Sequence, residues 1–151
     1  RRQRFLADIE LPGRGLATAH CPNTGSMLGC QAPGSRVYVS RSDRPGRRYP
    51  LTWELVEVAG GVLVGINTAR SNRLVAEALA AGTIRELRDA TGVRAEVAVP
   101  DGHGRLDFRL ERGRRRPYYL EVKNVTAAVD AGLARFPDAV SERATRHVTS
   151  L

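Results

Sequence analysis

The chain has 151 residues, 42% of them hydrophobic, with 24 Lys and Arg against 16 Asp and Glu for a net charge of +8. That length holds one ordinary domain or two small ones, and the apolar content argues against a disordered polybasic tail. Two cysteines argue against a disulfide-stapled secreted fold, and the longest charge-free apolar run, residues 58–69, is too short to cross a bilayer.

The first third reads as β. Residues 5–11 form a strand broken at Pro12-Gly13, and 16–21 follow a turn at Gly13 and Gly15. Residues 36–40 alternate around Val37 and Val39, residues 51–58 are rich in strand formers, and Gly60-Gly61 turns the chain into 62–66. Five short strands joined by Gly and Pro turns fit a small OB-like barrel, with a small sandwich or SH3-like barrel as alternatives. Trp53 is then either an aromatic platform or the barrel's core aromatic. Cys21 and Cys30, eight residues apart with no His cluster nearby, support neither a zinc site nor a redox motif and read as free thiols of a cytoplasmic protein.

The pattern changes near Asn67-Thr68, which divides the chain into residues 1–66 and 67–151. Residues 71–81 carry Leu74, Val75, Ala78 and Leu79 at helical spacing, with Ser71 or Asn72 as N-cap and Gly82 at the stop. A second short helix is expected over 84–90, then strands at 93–99, 106–110 and 118–125, with a turn at 101–104 and a basic loop at 112–117. From Val140 the chain reads as helical. The result is an α/β domain behind a β domain. The chain opens on Arg1-Arg2-Gln3-Arg4 and stops inside that last helix, and it reads as a fragment of a longer protein.

Charge is uneven along the chain: residues 1–50 sum to +6, 51–100 to −1 and 101–151 to +3. The positive clusters are Arg41, Arg44, Arg47 and Arg48, interleaved with Tyr38, Tyr49 and Trp53, and Arg112 to Arg116. Clustered cations with aromatic neighbours suit nucleic-acid binding, although an Arg-rich solvated surface gives the same count. Asn23, Thr24, Gly25 and Ser26 form either a backbone-amide nest for a phosphate or a plain polar turn. No phosphate-cradling GxxxxGK loop is present, and the three His residues propose no triad.

Twenty-three of the 24 cations are Arg, and the one Lys is Lys123. An ammonium kept where every other cation is a guanidinium points to chemistry at that position. Alternation puts Asp107 on the polar face of its strand, and Glu121 and Lys123 on the polar face of the next. If the two strands form a hairpin, two carboxylates and an ammonium converge, a set suited to Mg²⁺ or Mn²⁺ and to attack of water on a phosphodiester. The plainer alternative is a set of cross-strand ion pairs on an exposed face.

Asp107 followed by Glu121-Val122-Lys123, with a preceding helix carrying Glu77, resembles the PD-(D/E)XK nuclease core, with Leu106 where the name-giving Pro would stand. Further blocks are His20-Cys21-Pro22-Asn23-Thr24-Gly25-Ser26-Met27, Ser40-Arg41-Ser42-Asp43, Tyr49-Pro50-x-Thr52-Trp53-Glu54, Asn67-Thr68 and Phe136-Pro137-Asp138-Ala139-Val140. Together they resemble the sugar fermentation stimulation protein A family over about Arg4 to His147. The resemblance implies an N-terminal OB-like DNA-binding domain and a PD-(D/E)XK-type domain whose C-terminal part lies beyond Leu151. It also implies roles: Asp107 and Glu121 as metal ligands, Lys123 as the catalytic Lys and Glu77 as the helix acid. Two functions follow as expectations, a Mg²⁺-dependent nuclease and a non-catalytic DNA-binding regulator of sugar (maltose) metabolism genes. An RNA-binding or RNA-processing protein is a third; no membrane partner is expected.

Overall fold

The computed structural model describes residues 5–98, 104–130 and 133–135. By their contacts these form two units, residues 5–69 with 124–130 and 133–135, and residues 70–98 with 104–123. Among the described residues no helix is long and apolar enough to cross a membrane.

The first unit is a five-stranded sheet of β1 (Leu6–Leu11), β2 (Gly15–His20), β3 (Val37–Arg41), β4 (Leu51–Val58) and β5 (Val62–Gly65). Each strand lies within one residue of its expected bounds, because the Gly and Pro signals that end the strands act locally. Gly13 and Gly15 (φ 69° and 75°) make the first turn, in the left-handed region that a residue with a Cβ enters at a cost. β1 and β2 pair antiparallel, and β3 runs antiparallel along β4 from Val37↔Val56 to Arg41↔Leu51. The opposite edge of β4 is shared: β2 pairs with it in parallel at Leu51 and Thr52, and β5 takes Leu55 to Val58.

The sheet wraps one core containing Ala7, Ile9, Ala19, Cys21, Met27, Cys30, Trp53, Val56, Val64 and Ile66. Trp53 is 4% exposed and its Nε1 donates to the Leu55 carbonyl at 2.9 Å, so it is the core aromatic and not a stacking platform. Both cysteines are free and buried. Cys21 Sγ lies 3.6 Å from Met27 Sδ, and burial pushes the Cys30 thiol pKa up. Cys30 Sγ donates to the Thr126 carbonyl and Asn124 Nδ2 to the Gly65 carbonyl, which ties the segment after residue 123 to this unit. Two further strands in that segment, β9 (Ala127–Asp130) and β10 (Leu133–Arg135), pair antiparallel; the sequence pattern did not indicate them.

The second unit holds helix α1 (Ser71–Ala80) and an antiparallel meander in the order β6 (Gly92–Ala98), β7 (Arg105–Arg112), β8 (Arg115–Leu120). Four expectations change here. The helix has no side-chain N-cap, because it continues from a 3-10 turn (Thr68–Arg70) and Arg70 is already in helical conformation. Its less exposed positions are Ser71, Asn72, Val75, Ala78 and Leu79, while Leu74 is left exposed. The second helix shrinks to a 3-10 turn (Arg85–Leu87), too short a stretch to sustain helical nucleation. The basic loop at 112–117 is instead a hairpin end with Arg112 paired to Arg115, so β8 starts earlier and ends at Leu120. Arg116 and Pro117 face Glu111 alone, a bulge that accommodates a residue with no N–H to offer the ladder. The helix expected from Val140 lies outside the described residues.

Candidate active site

Along β7, Leu106, Phe108 and Leu110 are buried, which turns Asp107, Arg109 and Glu111 to the opposite face. The Asp107 carboxylate is held on both oxygens. Asn72 Nδ2 from α1 donates to Oδ1 at 2.7 Å, and the backbone N–H of Val122 donates to Oδ2 at 2.6 Å. Two bonds of this kind, one to each oxygen, fix the carboxylate's position. The Val122 bond also fixes the chain just past β8, so that Glu121 and Lys123 flank the point where Asp107 is anchored. Both project to one side, since Lys123 Nζ is ion-paired with Glu121 Oε1.

Glu77 is not brought to this group. Its carboxylate pairs with Arg73 at 2.9 Å one turn back on α1, and its side chain is 60% exposed. Five residues at about 100° each place Glu77 about 140° around the helix from Asn72. With Asn72 directed at Asp107, Glu77 faces elsewhere. Among the described residues no group of three or more His, Cys, Asp or Glu side chains is placed to hold a metal ion. The donor chemistry nevertheless suits a hard cation, because Mg²⁺ commonly takes one or two carboxylates and completes its shell with water and substrate phosphate. Asp107 and Glu121 would supply those two.

Asn72 is the contact that sequence reasoning misassigned. Its place at the start of a helix suggested a cap, and nothing local distinguishes a capping Asn from one that reaches across to a strand. Replacing Asn72 with Ala leaves Asp107 Oδ1 without this donor and is expected to destabilise the unit by about 1–3 kcal/mol. Urea unfolding followed by circular dichroism measures this; an unchanged midpoint would show that Asn72 does not hold Asp107.

The other candidate residues belong to the first unit. Ser42 N donates to the Pro50 carbonyl at 2.8 Å and closes the loop between β3 and β4, which carries Arg44, Arg47 and Arg48, with Arg41 at the end of β3. Ser42, Arg44, Pro45, Gly46 and Arg47 line a cavity of about 630 Å³. Arg47 Nη2 donates to Thr52 Oγ1 at 2.9 Å, and the Arg48 guanidinium lies 5.3 Å from the centre of the Tyr49 ring. Asn23 is buried, and its Oδ1 accepts from the Gly25 amide at 2.8 Å, so its side chain organises the turn from within. In the same loop the Ser26 carbonyl accepts from Gln31 Nε2, while Thr24 stays exposed. Behind the loops, Glu54 accepts from Ser40 Oγ at 2.5 Å and from Asn67 Nδ2 at 2.8 Å, which joins β3, β4 and the end of β5 through one carboxylate.

A β unit followed by an α/β unit, in which a strand Asp accepts from the amide inside a Glu-x-Lys triplet, is consistent with an OB fold followed by a nuclease-like domain. The comparisons give the family. Residues 1–66 match the family model for the SfsA N-terminal OB domain, and residues 69–151 match the sugar fermentation stimulation protein RE domain. The chain belongs to the sugar fermentation stimulation protein family. Homologs under that name from Halorhodospira halophila and Thioalkalivibrio sulfidiphilus are 56% and 57% identical over the whole of this chain. One from Alkalilimnicola ehrlichii is 58% identical. The chain spans 63–64% of the length of these relatives. The structure of Pyrococcus furiosus SfsA in complex with Ca²⁺ matches all of this chain and 62% of its own, with a TM-score of 0.77 at 24% identity, a likeness of fold.

Proposed function

We propose that the chain is the DNA-holding and metal-binding part of a Mg²⁺-dependent phosphodiesterase, with the site at Asp107, Glu121 and Lys123. The observation that supports the reading is the double anchoring of Asp107 by Asn72 and by the amide of Val122, the middle residue of the Glu-x-Lys triplet. Asp107 and Glu121 are hard oxygen donors for a divalent cation, and the Ca²⁺ complex of the Pyrococcus furiosus protein is in keeping with that choice. When bound, such an ion polarises a phosphate and acidifies water. The chain's own share is to hold Asp107 in place, and to offer the Lys123 ammonium to an attacking water or to charge developing on the phosphate. As the water oxygen bonds to phosphorus, one phosphoester P–O bond breaks and the departing oxygen takes a proton. Glu77 has no part in this scheme.

Binding is assigned to Arg41, Arg44, Arg47 and Arg48 on the barrel, residues 1–66, with the site on residues 67–151. Four phosphate contacts from these residues contribute about 3 to 4 units to the slope of log Kobs against log salt on duplex DNA, so the full-length protein is expected to show a slope at least that steep. Titration of the full-length protein with fluorescent DNA at several salt concentrations measures it, and a flat dependence counts against the reading. A second reading, a non-catalytic DNA-binding regulator, is favoured by the Lys123–Glu121 pair, which occupies both side chains with each other. It predicts the same salt slope with no cleavage under any divalent metal.

A further inference from the structure

The β7–β8 hairpin ends in four Arg residues, Arg112, Arg114, Arg115 and Arg116, and the structure treats them unequally. Arg112 is used internally. Its Nε and Nη2 donate to Asp89 Oδ2 at 2.9 and 2.6 Å, and its guanidinium lies 4.0 Å from the centre of the Tyr118 ring. The Arg112 side chain is 18% exposed. Two more bonds hold the hairpin end to the segment before β6: Thr91 N donates to the Glu111 carbonyl at 2.8 Å, and Gly113 N to Thr91 Oγ1 at 3.3 Å. The pairing with Arg112 lowers the Asp89 carboxyl pKa, so the clamp is intact at neutral pH and is lost only as pH falls through that lowered value.

Arg114, Arg115 and Arg116 are exposed, and Arg115 reaches Asp89 only at 3.7 Å. A run of solvated cations needs no scaffold, whereas this one stands on a hairpin end fixed by a two-bond ion pair, a ring stack and a second strap. Held in this way, the three guanidinia lose less freedom on meeting an anion than they would on a free loop. We infer that the hairpin end is a preorganised phosphate-binding arm, with Arg114, Arg115 and Arg116 contacting the backbone of the nucleic acid and Arg112 positioning them. The inference rests on the nucleic-acid reading above and adds a second set of contacts, carried by the second unit.

The test uses the full-length protein, a fluorescent DNA duplex and the matching single strand. The Arg114→Ala/Arg115→Ala/Arg116→Ala variant is expected to lose about 2 to 3 units of the salt slope on the duplex and at least tenfold in affinity at low salt. The corresponding triple Lys variant keeps the slope, since a phosphate is met as well by an ammonium point charge. Thermal unfolding of both variants is expected to match the parent, because none of the three side chains is buried. A triple Ala variant that binds with the parent's slope and affinity overturns the arm and leaves the barrel reading standing. A full-length parent that binds neither duplex nor single strand overturns both.

Discussion

Asp107→Asn in the full-length protein is expected to lose Mg²⁺-dependent cleavage of a nucleic-acid substrate by roughly 10³-fold or more, equal to about 4 kcal/mol of transition-state stabilisation. The change keeps the side chain's shape but replaces a charged ligand with a neutral amide, one side of which meets the Asn72 or Val122 donor with a donor of its own. Lys123→Ala is expected to cost roughly 10²- to 10³-fold, in the range of losing one positioned electrostatic group. Lys123→Arg is the more telling change, because every other cation of the chain is already Arg. If Lys123 serves only as half of an ion pair with Glu121, Arg replaces it freely. If it presents a compact ammonium to water or phosphate, the planar guanidinium does not, and activity falls nearly as far as with Ala. Glu77→Gln is expected to leave cleavage within about threefold, since the Glu77 carboxylate pairs outward with Arg73. Gel assays on DNA and RNA with Mg²⁺ or Mn²⁺, with melting curves run beside them, read all four variants. Cleavage that survives both Asp107→Asn and Lys123→Ala would remove the site from this position.

Trp53→Ala is expected to destabilise the barrel by about 3–5 kcal/mol, the usual cost of emptying a large aromatic site in a packed core. Trp53 is the chain's one Trp, is 4% exposed, and packs in the core that Ile9, Val56 and Ile66 share. Its loss also deprives the Leu55 carbonyl of the indole donor. Urea unfolding followed by far-ultraviolet circular dichroism gives the shift, with Trp53→Phe expected to lose about half as much because most of the apolar volume is kept. DNA affinity falls in the Ala variant only to the extent that the barrel unfolds. A variant as stable as the parent that fails to bind single strands would mean that Trp53 stacks on bases after all.

The barrel was readable from the chain to within a residue at each strand end because its signals are local. Pro12-Gly13 and Gly60-Gly61 force turns wherever they stand, and Val-rich runs between them have no competing helical period. The second unit was readable where alternation is strict, as in β7, whose Leu106, Phe108 and Leu110 are all buried. It was misread where a strand and its turn are defined by a partner. The Arg112 to Arg116 run has the composition of a loop, and the chain draws it into a hairpin by pairing Arg112 with Arg115 and clamping the end to Asp89.

The same distinction divides the site. Alternation along β7 marks out Asp107 within the linear chain, and the rarity of Lys marks out Lys123; Glu121 and Lys123 were expected on a strand over 118–125, whereas β8 ends at Leu120 and both lie just past it. Which helix residue meets Asp107 could not be marked out in that way. Asn72 and Glu77 lie on one short helix, both polar, and the family resemblance implied Glu77 as the partner. The orientation of α1, with Val75, Ala78 and Leu79 among its less exposed positions, directs Asn72 to the carboxylate and leaves Glu77 paired with Arg73. Packing of apolar surface is non-directional and tolerant of sequence, so the angle at which a helix settles emerges only when the whole surface is assembled. The 23 Arg residues follow the same rule: their number is a property of composition, while the pinning of Arg112 and the exposure of Arg114 to Arg116 are properties of the folded hairpin.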